Sequence, residues 1–405
     1  MENLVPLGTG NSRFMKSNIS PSTTLAQLIS MLNNGTFPYD VGTINPAGIS
    51  QQGTPLNKDT LLKDATAGLY GLGSDAVPDD VFNDIYSRLI MIAQDKARLI
   101  VTVKDASGAP IPNTLISGLQ DESGSSGVLT NENGVATGYA DEGTANISVS
   151  GFADLVDKSV SQAVQKGITY NIDLSVETRN FLKITSSGNY KFSGRITRVD
   201  VTVVGGGAGG NGGYCRSGSS SGDRASVGGG GGYCVVQENV DFSPNTLYGA
   251  VIGAGGRGGT GNAYDKFDSE FYGENGGSSS FLGVTANGGS HGTQTSGGAG
   301  NGRGGNVTGS AHDTGGNGVA GSVYGYSSFT ETVLYGGGGG AGYGGKGGAD
   351  FGGDGATSWN SPPTTVQANT GGGGGGGLGD GGRDDATNGG DGGSGVIALR
   401  MHTAA

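Results

Sequence analysis

Three histidines, two cysteines and a scatter of carboxylates are the residues of this chain whose types could do chemistry. His291, His312 and His402 lie far apart, the first two among Gly, Ser and Thr, so no nucleophile, base and orienting group can be assigned as a triad. Asp265 with Asp268, and Asp384 with Asp385, supply the pair of carboxylates that a glycosidase holds across a bond, but on polar loops solvated charge explains them better. Gly352-Gly353-Asp354-Gly355 and Gly379-Asp380-Gly381-Gly382 offer the oxygen ligands calcium takes, without the nonapeptide period of a β-roll. No Lys-Ser or Lys-Thr pair follows a glycine tract at phosphate-loop spacing. We therefore expect no enzyme, no cofactor and no resident metal, with calcium in the glycine loops left open.

The cysteines sit in a repeated tetrapeptide, Gly212-Gly213-Tyr214-Cys215 and Gly231-Gly232-Tyr233-Cys234. Two thiols are too few for a zinc site. The repeat could set them side by side on neighbouring strands, so buried thiols and a disulfide both stay open, the thiols favoured because a cytosolically made chain starts reduced.

Recognition is a different chemistry, and its candidates are aromatics set beside polar side chains where glycine tracts are interrupted. Tyr264 to Tyr272, Val323 to Phe329 and Ala356 to Pro363 are such stretches, with Tyr272, Tyr324, Tyr326 and Trp359 as the leading contacts. The competing reading is that these rings cap the ends of the glycine tracts.

The elements that must position them are unusual. Most of the 88 glycines lie between an apolar strand, Val199 to Val204, and a second, Gly395 to Arg400. Glycine loses more backbone freedom on ordering than any other residue, so a run such as Gly371 to Gly377 stays ordered only if its backbone groups are paired. Flexible spacers are one reading. The other is a set of three-residue-per-turn helices of the polyproline II type, packed side by side and bonded laterally. The apolar interruptions and the bounding strands argue for the packed unit.

Upstream, Thr24 to Leu32, a segment from Asn57 to Gly68, and the stripe Val81, Ile85, Leu89 and Ile92 behind Pro78 predict three short helices. From Leu99 the period changes to two, and short strands at Ile100–Val103, Leu115–Gly118, Asn146–Ser150 and Thr169–Leu174 predict a small β-sandwich. The fold class is mainly β and multidomain: residues 1–96 a helical attachment or oligomerisation region, 97–176 the sandwich, and 177–405 a glycine-rich domain with polyglycine II-like tracts.

Only 33% of residues are apolar, against the usual ~45–50%, so conventional cores must be small. A net charge of −12 argues against nucleic acid or an anionic membrane as partner, and no stretch approaches the ~20 apolar residues of a membrane span. The opening Met1-Glu2-Asn3-Leu4 lacks a signal peptide's basic region and apolar core.

Two sets of motifs carry resemblances. Val101 to Ile111 (V-T-V-K-D-A-S-G-A-P-I), Leu129 to Thr137 and Ile147 to Phe152 resemble the immunoglobulin-like or prealbumin-like modules of carboxypeptidase regulatory domains and surface adhesins, which implies a spacer. Ile196 to Gly210 (I-T-R-V-D-V-T-V-V-G-G-G-A-G-G), Gly231 to Val236, Ser243 to Gly256 and Gly392 to Arg400 resemble the glycine-rich domains of bacteriophage tail-fibre and receptor-binding proteins, and Gly53 to Ala67 is similar to phage virion structural proteins. These resemblances imply a virion protein made in the host cytoplasm. It would be held by residues 1–96 to other virion proteins, a homo-oligomer, and would bind a bacterial surface glycan or protein. The alternative they leave is a structural fibre, collar or head-decoration protein with no receptor.

Overall fold

The computed structural model describes residue 85 and residues 96–215, 224–262, 269–308, 314–321, 336–349, 351–380 and 385–403. The three helices expected in 1–96 lie outside the described residues, except that Ile85 is helical. The chain divides between Ile85 and Tyr86, and everything from Lys96 onward belongs to one compact unit. That unit is built from strands and glycine tracts.

In β1 (Lys96–Asp105) every second side chain is buried, so Ala97, Leu99, Val101 and Val103 face inward, as the period of two requires. It is followed by β2 (Leu115–Gln120), β3 (Ser126–Leu129), β4 (Val135–Asp141), β5 (Gly143–Val149), β6 (Lys158–Val164) and β7 (Thr169–Val176). The pairing runs β6-β5-β2-β4-β1-β7, with β3 on β2, and only β1 with β7 is parallel. Besides β3, β2 meets two further strands: its Gln120 faces Tyr139 of β4, while its Ser117 faces Ser148 of β5. Gly118 makes that change of partner, with φ +87 and a backbone approach so close that a Cβ would collide with the Asn146 carbonyl. The expected sandwich is therefore curled into a nearly closed barrel around Leu99, Ile116, Leu119, Ile147 and Leu174.

Carboxylates shape two of its turns. Asp105 accepts the N–H groups of Ser107 and Ala109, and Asp121 those of Ser123 and Ser125. The hydroxyls of Ser107 and Ser123 also donate to them, and these bonds together hold both carboxyls below the usual carboxylate range.

The barrel joins the following module through buried polar pairing. Asp154 accepts the Ser193 N–H at 2.9 Å and its hydroxyl at 2.5 Å, with Arg195 Nε 3.7 Å away. Asn245 donates to the Asn113 carbonyl at 2.7 Å and accepts the Leu115 N–H at 3.2 Å. There follow β8 (Phe181–Ile184), β9 (Gly188–Tyr190) and β10 (Ile196–Val204). β10 lies between strands Cys234–Val240 and Val396–Thr403, and β8 closes the far edge. The two strands that bound the glycine tracts in sequence are thus antiparallel neighbours in space, packed over Phe192, Val201, Phe281 and Leu399.

Beyond Val204 the backbone carries the packing. Residues 205, 208 and 211 donate to the carbonyls of 233, 230 and 227; residues 206, 209 and 212 to those of 277, 274 and 271; residues 207, 210 and 213 to those of 393, 390 and 387. A period of three in the partners is the signature of a threefold helix. On its other sides the same tract accepts from 256, 259 and 262, from 374 and 377, and from 289. Three neighbouring tracts accept its N–H groups and three donate N–H groups to its carbonyls, so residues 205–213 are buried and laterally paired. Gly228–Gly232 and Gly371–Gly377 are buried in the same way. On the outer tract at 253–260 the pattern is seen in burial: Gly253, Gly256 and Gly259 are inside, while Ala254, Arg257 and Thr260 face solvent. The packed lattice, not the flexible spacer, is what these glycines form.

Candidate functional site

The lattice has two ends. One is the sheet, where Val204 and Val396 enter it. At the other, residues 213–215, 224–227, 262, 271, 307–308, 356–361, 378–380 and 385–387 converge, because each tract is bonded antiparallel or parallel to the central one in fixed register.

This geometry answers the cysteine question. Cys234 faces Val204 on the sheet, whereas Cys215 lies eleven residues beyond Val204 (215 − 204), roughly 34 Å at ~3.1 Å per residue. No disulfide joins them. The Cys215 sulfur lies 3.0 Å from the Asp385 carbonyl and 3.2 Å from that of Asp380, and burial pushes the Cys234 thiol up to about 12. The histidines do not converge either. His402 Nε2 pairs with Asp200 Oδ2 at 2.7 Å on the sheet, His291 belongs to the lattice, and His312 lies outside the described residues.

Of the four recognition candidates, two are described. Tyr272 is half-buried at the far end, its ring 5.2 Å edge-on from Phe271 and 5.6 Å from His291. Phe271 is fully buried and meets Tyr214 edge-on at 5.7 Å, so Tyr272 is the outermost ring of an aromatic stack closing the tracts. Trp359 is half-buried in a turn held by the Ser358 and Ser361 pairing, by Thr357 donating to or accepting from Ser361 at 3.1 Å, and by Ser358 bonded to Asn360 at 2.6 Å. Tyr324 and Tyr326 lie outside the described residues. The structure thus brings Tyr272 and Trp359 to one end.

The carboxylate in the Gly352–Gly355 loop is already engaged. Asp354 accepts Lys346 Nζ and the Gly347 N–H, at 2.9 and 2.8 Å. Partial burial works to raise its pKa, and these two bonds with the Lys346 charge outweigh it and hold the carboxyl below its ordinary value. Among the described residues no group of three or more His, Cys, Asp or Glu is set to hold a metal ion.

A class of residue not singled out from sequence holds the end together. Asn211 is fully buried, accepts the Gly273 N–H at 3.1 Å and donates to the Thr293 and Gly292 carbonyls at 2.9 and 3.3 Å. Asn388 and Asp391 accept the N–H groups of Gly261 and Gly258, and Asn275, Asn306 and Asn317 do the same elsewhere. The signal was present: Ala208, Asn211 and Tyr214, like Asn388, Asp391 and Ser394, recur every third residue.

Both bounding strands, the tracts and their three-residue pairing fall inside residues 184–402, which match the model of the glycine-rich domain family. The chain belongs to that family. Its glycine-rich domain starts at the end of β8 and takes in all of the lattice. No curated protein matches the chain.

Proposed function

We propose that this chain is a bacteriophage virion protein, a tail fibre or receptor-binding adhesin, whose glycine-rich domain presents loops to a bacterial surface glycan or protein. Residues 1–96 attach it to other virion proteins and assemble the homo-oligomer, and the barrel at 97–176 is the spacer. The observation that supports this reading is the division of labour at the far end of the lattice. A backbone lattice offers almost no side chains with which to tell partners apart, so discrimination falls to the turns that interrupt it. One of those turns carries Trp359, the only tryptophan of the chain, on a locally hydrogen-bonded base. A large ring with two rotatable bonds contributes contact area at small entropic cost.

Tyr272 favours the second reading, a structural fibre with no receptor, since its ring is spent on Phe271 and His291. Adsorption of the full chain to whole host cells separates the two. Trp359→Ala should weaken adsorption about thirtyfold, the equivalent of ~2 kcal/mol, with circular dichroism and melting unchanged. Unchanged adsorption in a folded variant overturns the adhesin reading for this turn.

A further inference from the structure

Away from the lattice, a cleft of about 480 Å³ opens where the barrel meets the strands at 181–190. Its walls are fixed by backbone pairing. Phe152 pairs with Lys191, Leu155 with Thr178, and Arg179 N–H donates to the Asp154 carbonyl at 2.7 Å, while Asp154 itself is buried on Ser193. The floor is apolar, formed by Phe152, Leu155 and Leu182, and Tyr190 stands at its side with its ring braced edge-on by Phe281 at 6.1 Å.

The rim is polar and carries one cation, Arg179, and one carboxylate, Asp157. Arg195 spends its guanidinium on Asn180, the Arg179 carbonyl and Asp154, but the exposed Arg179 guanidinium bonds nothing among the described residues. Lys191, outside the lining, has its Nζ 4.2 Å over the Phe152 ring and beside Gly151. The lining carboxylate, Asp157, has one oxygen taken by the Gly151 N–H at 2.8 Å. With Asp157 partly engaged, the exposed Arg179 guanidinium is the open charge of this mouth and marks it as a place for an anion.

We propose that this cleft is a binding site for a single anionic sugar unit, a separate site from the far-end turns. An apolar floor with one aromatic face takes the C–H side of a pyranose, and Asp157 and Asn189 meet its hydroxyls. The planar fork of Arg179 pairs bidentately with a carboxylate or a phosphate. The volume suits a ligand of that size and excludes a long chain from being wholly enclosed.

Titration of the full chain with glucuronate, glucose 1-phosphate and glucose, read by ligand-observed NMR, tests this. At least one of the two anions should bind about tenfold or more tightly than glucose, and the tighter of the two says whether a uronate or a sugar phosphate is the natural unit. Arg179→Gln, at an exposed position, should abolish that preference and leave glucose as it was, and Arg179→Lys should restore part of it. Equal affinity for glucose and the anions, no anion binding, or an unchanged preference in Arg179→Gln overturns the proposal. Trp359→Ala should leave these titrations untouched, so failure here says nothing against recognition by the far-end turns, and the reverse.

Discussion

The barrel and the lattice reach the same degree of order by opposite means. In the barrel, alternate side chains such as Leu99, Ile116 and Leu174 are removed from water, and the backbone bonds are a by-product of strands brought together around them. In the lattice, the apolar cluster found beyond the sheet among the described residues is small, Val227, Val307 and Leu378 with three alanines and a tyrosine around them, and the packing atoms are the backbone itself. Ordering glycine is entropically the most costly ordering there is, and what offsets it is that most N–H and C=O groups of the buried residues find a partner across the tracts. A fold held by side chains fails when atoms are removed; one held by backbone contact fails when atoms are added.

That contrast can be broken most forcefully at Gly374, where a Cβ would land on the Gly390 carbonyl. Gly374→Val should cost more than about 4 kcal/mol, and limited proteolysis and melting should show the glycine-rich domain lost; a variant with the wild-type melting temperature would refute the lattice. Next in size is a deletion in the barrel. Leu99→Ala leaves a cavity in a closed core and should lower stability by about 3 kcal/mol in a denaturant titration, while Gly374→Ala on the other side of the comparison should still be the worse of these two alanines.

Asn211→Ala is expected to be milder, about 2 kcal/mol, because it leaves the buried Gly273 N–H unpaired and takes the donor from the Thr293 carbonyl without pushing tracts apart; Asn211→Asp should not rescue it, since the carboxylate loses both donors. The smallest effect sits where sheet and lattice meet. The Cys234 thiol, ordinarily near 9.0, is raised to about 12 by burial, so the unfolded chain gives up its proton first. Its contribution is intact below about pH 9 and is lost as pH rises towards about 12. The urea midpoint should therefore fall over that window in the native chain and fall less in Cys234→Ala, and native Cys234 should react slowly with iodoacetamide.

Much of this architecture was legible in residues 97–403. The alternation of Leu99, Val101 and Val103 and the strands at 199–204 and 395–400 are local signals, and they form where they were expected. β3, β4 and β6 were missed because Gly127, Gly138 and the polar run Lys158 to Gln162 carry little strand signal of their own; pairing with neighbours makes them strands. The lattice reading rested on the apolar interruptions, and the repeat of Asn and Asp every third residue was visible but unused.

By itself, then, the sequence determined which segments extend, where they turn, and that the glycine tracts could pack only backbone to backbone, because these depend on each residue's own freedom and on periods of two and three. Which tract lies beside which was decided by the tertiary structure. Nothing in Gly205 to Gly213 names 227–233, 271–277 or 387–393 as partners, since glycines are interchangeable and the register comes from the sheet that clamps both ends. The same holds for the two cysteines, alike in their local text and set at opposite ends by antiparallel tracts, and for the cleft at Arg179 and Tyr190, whose walls come from separate modules joined by a buried Asp154.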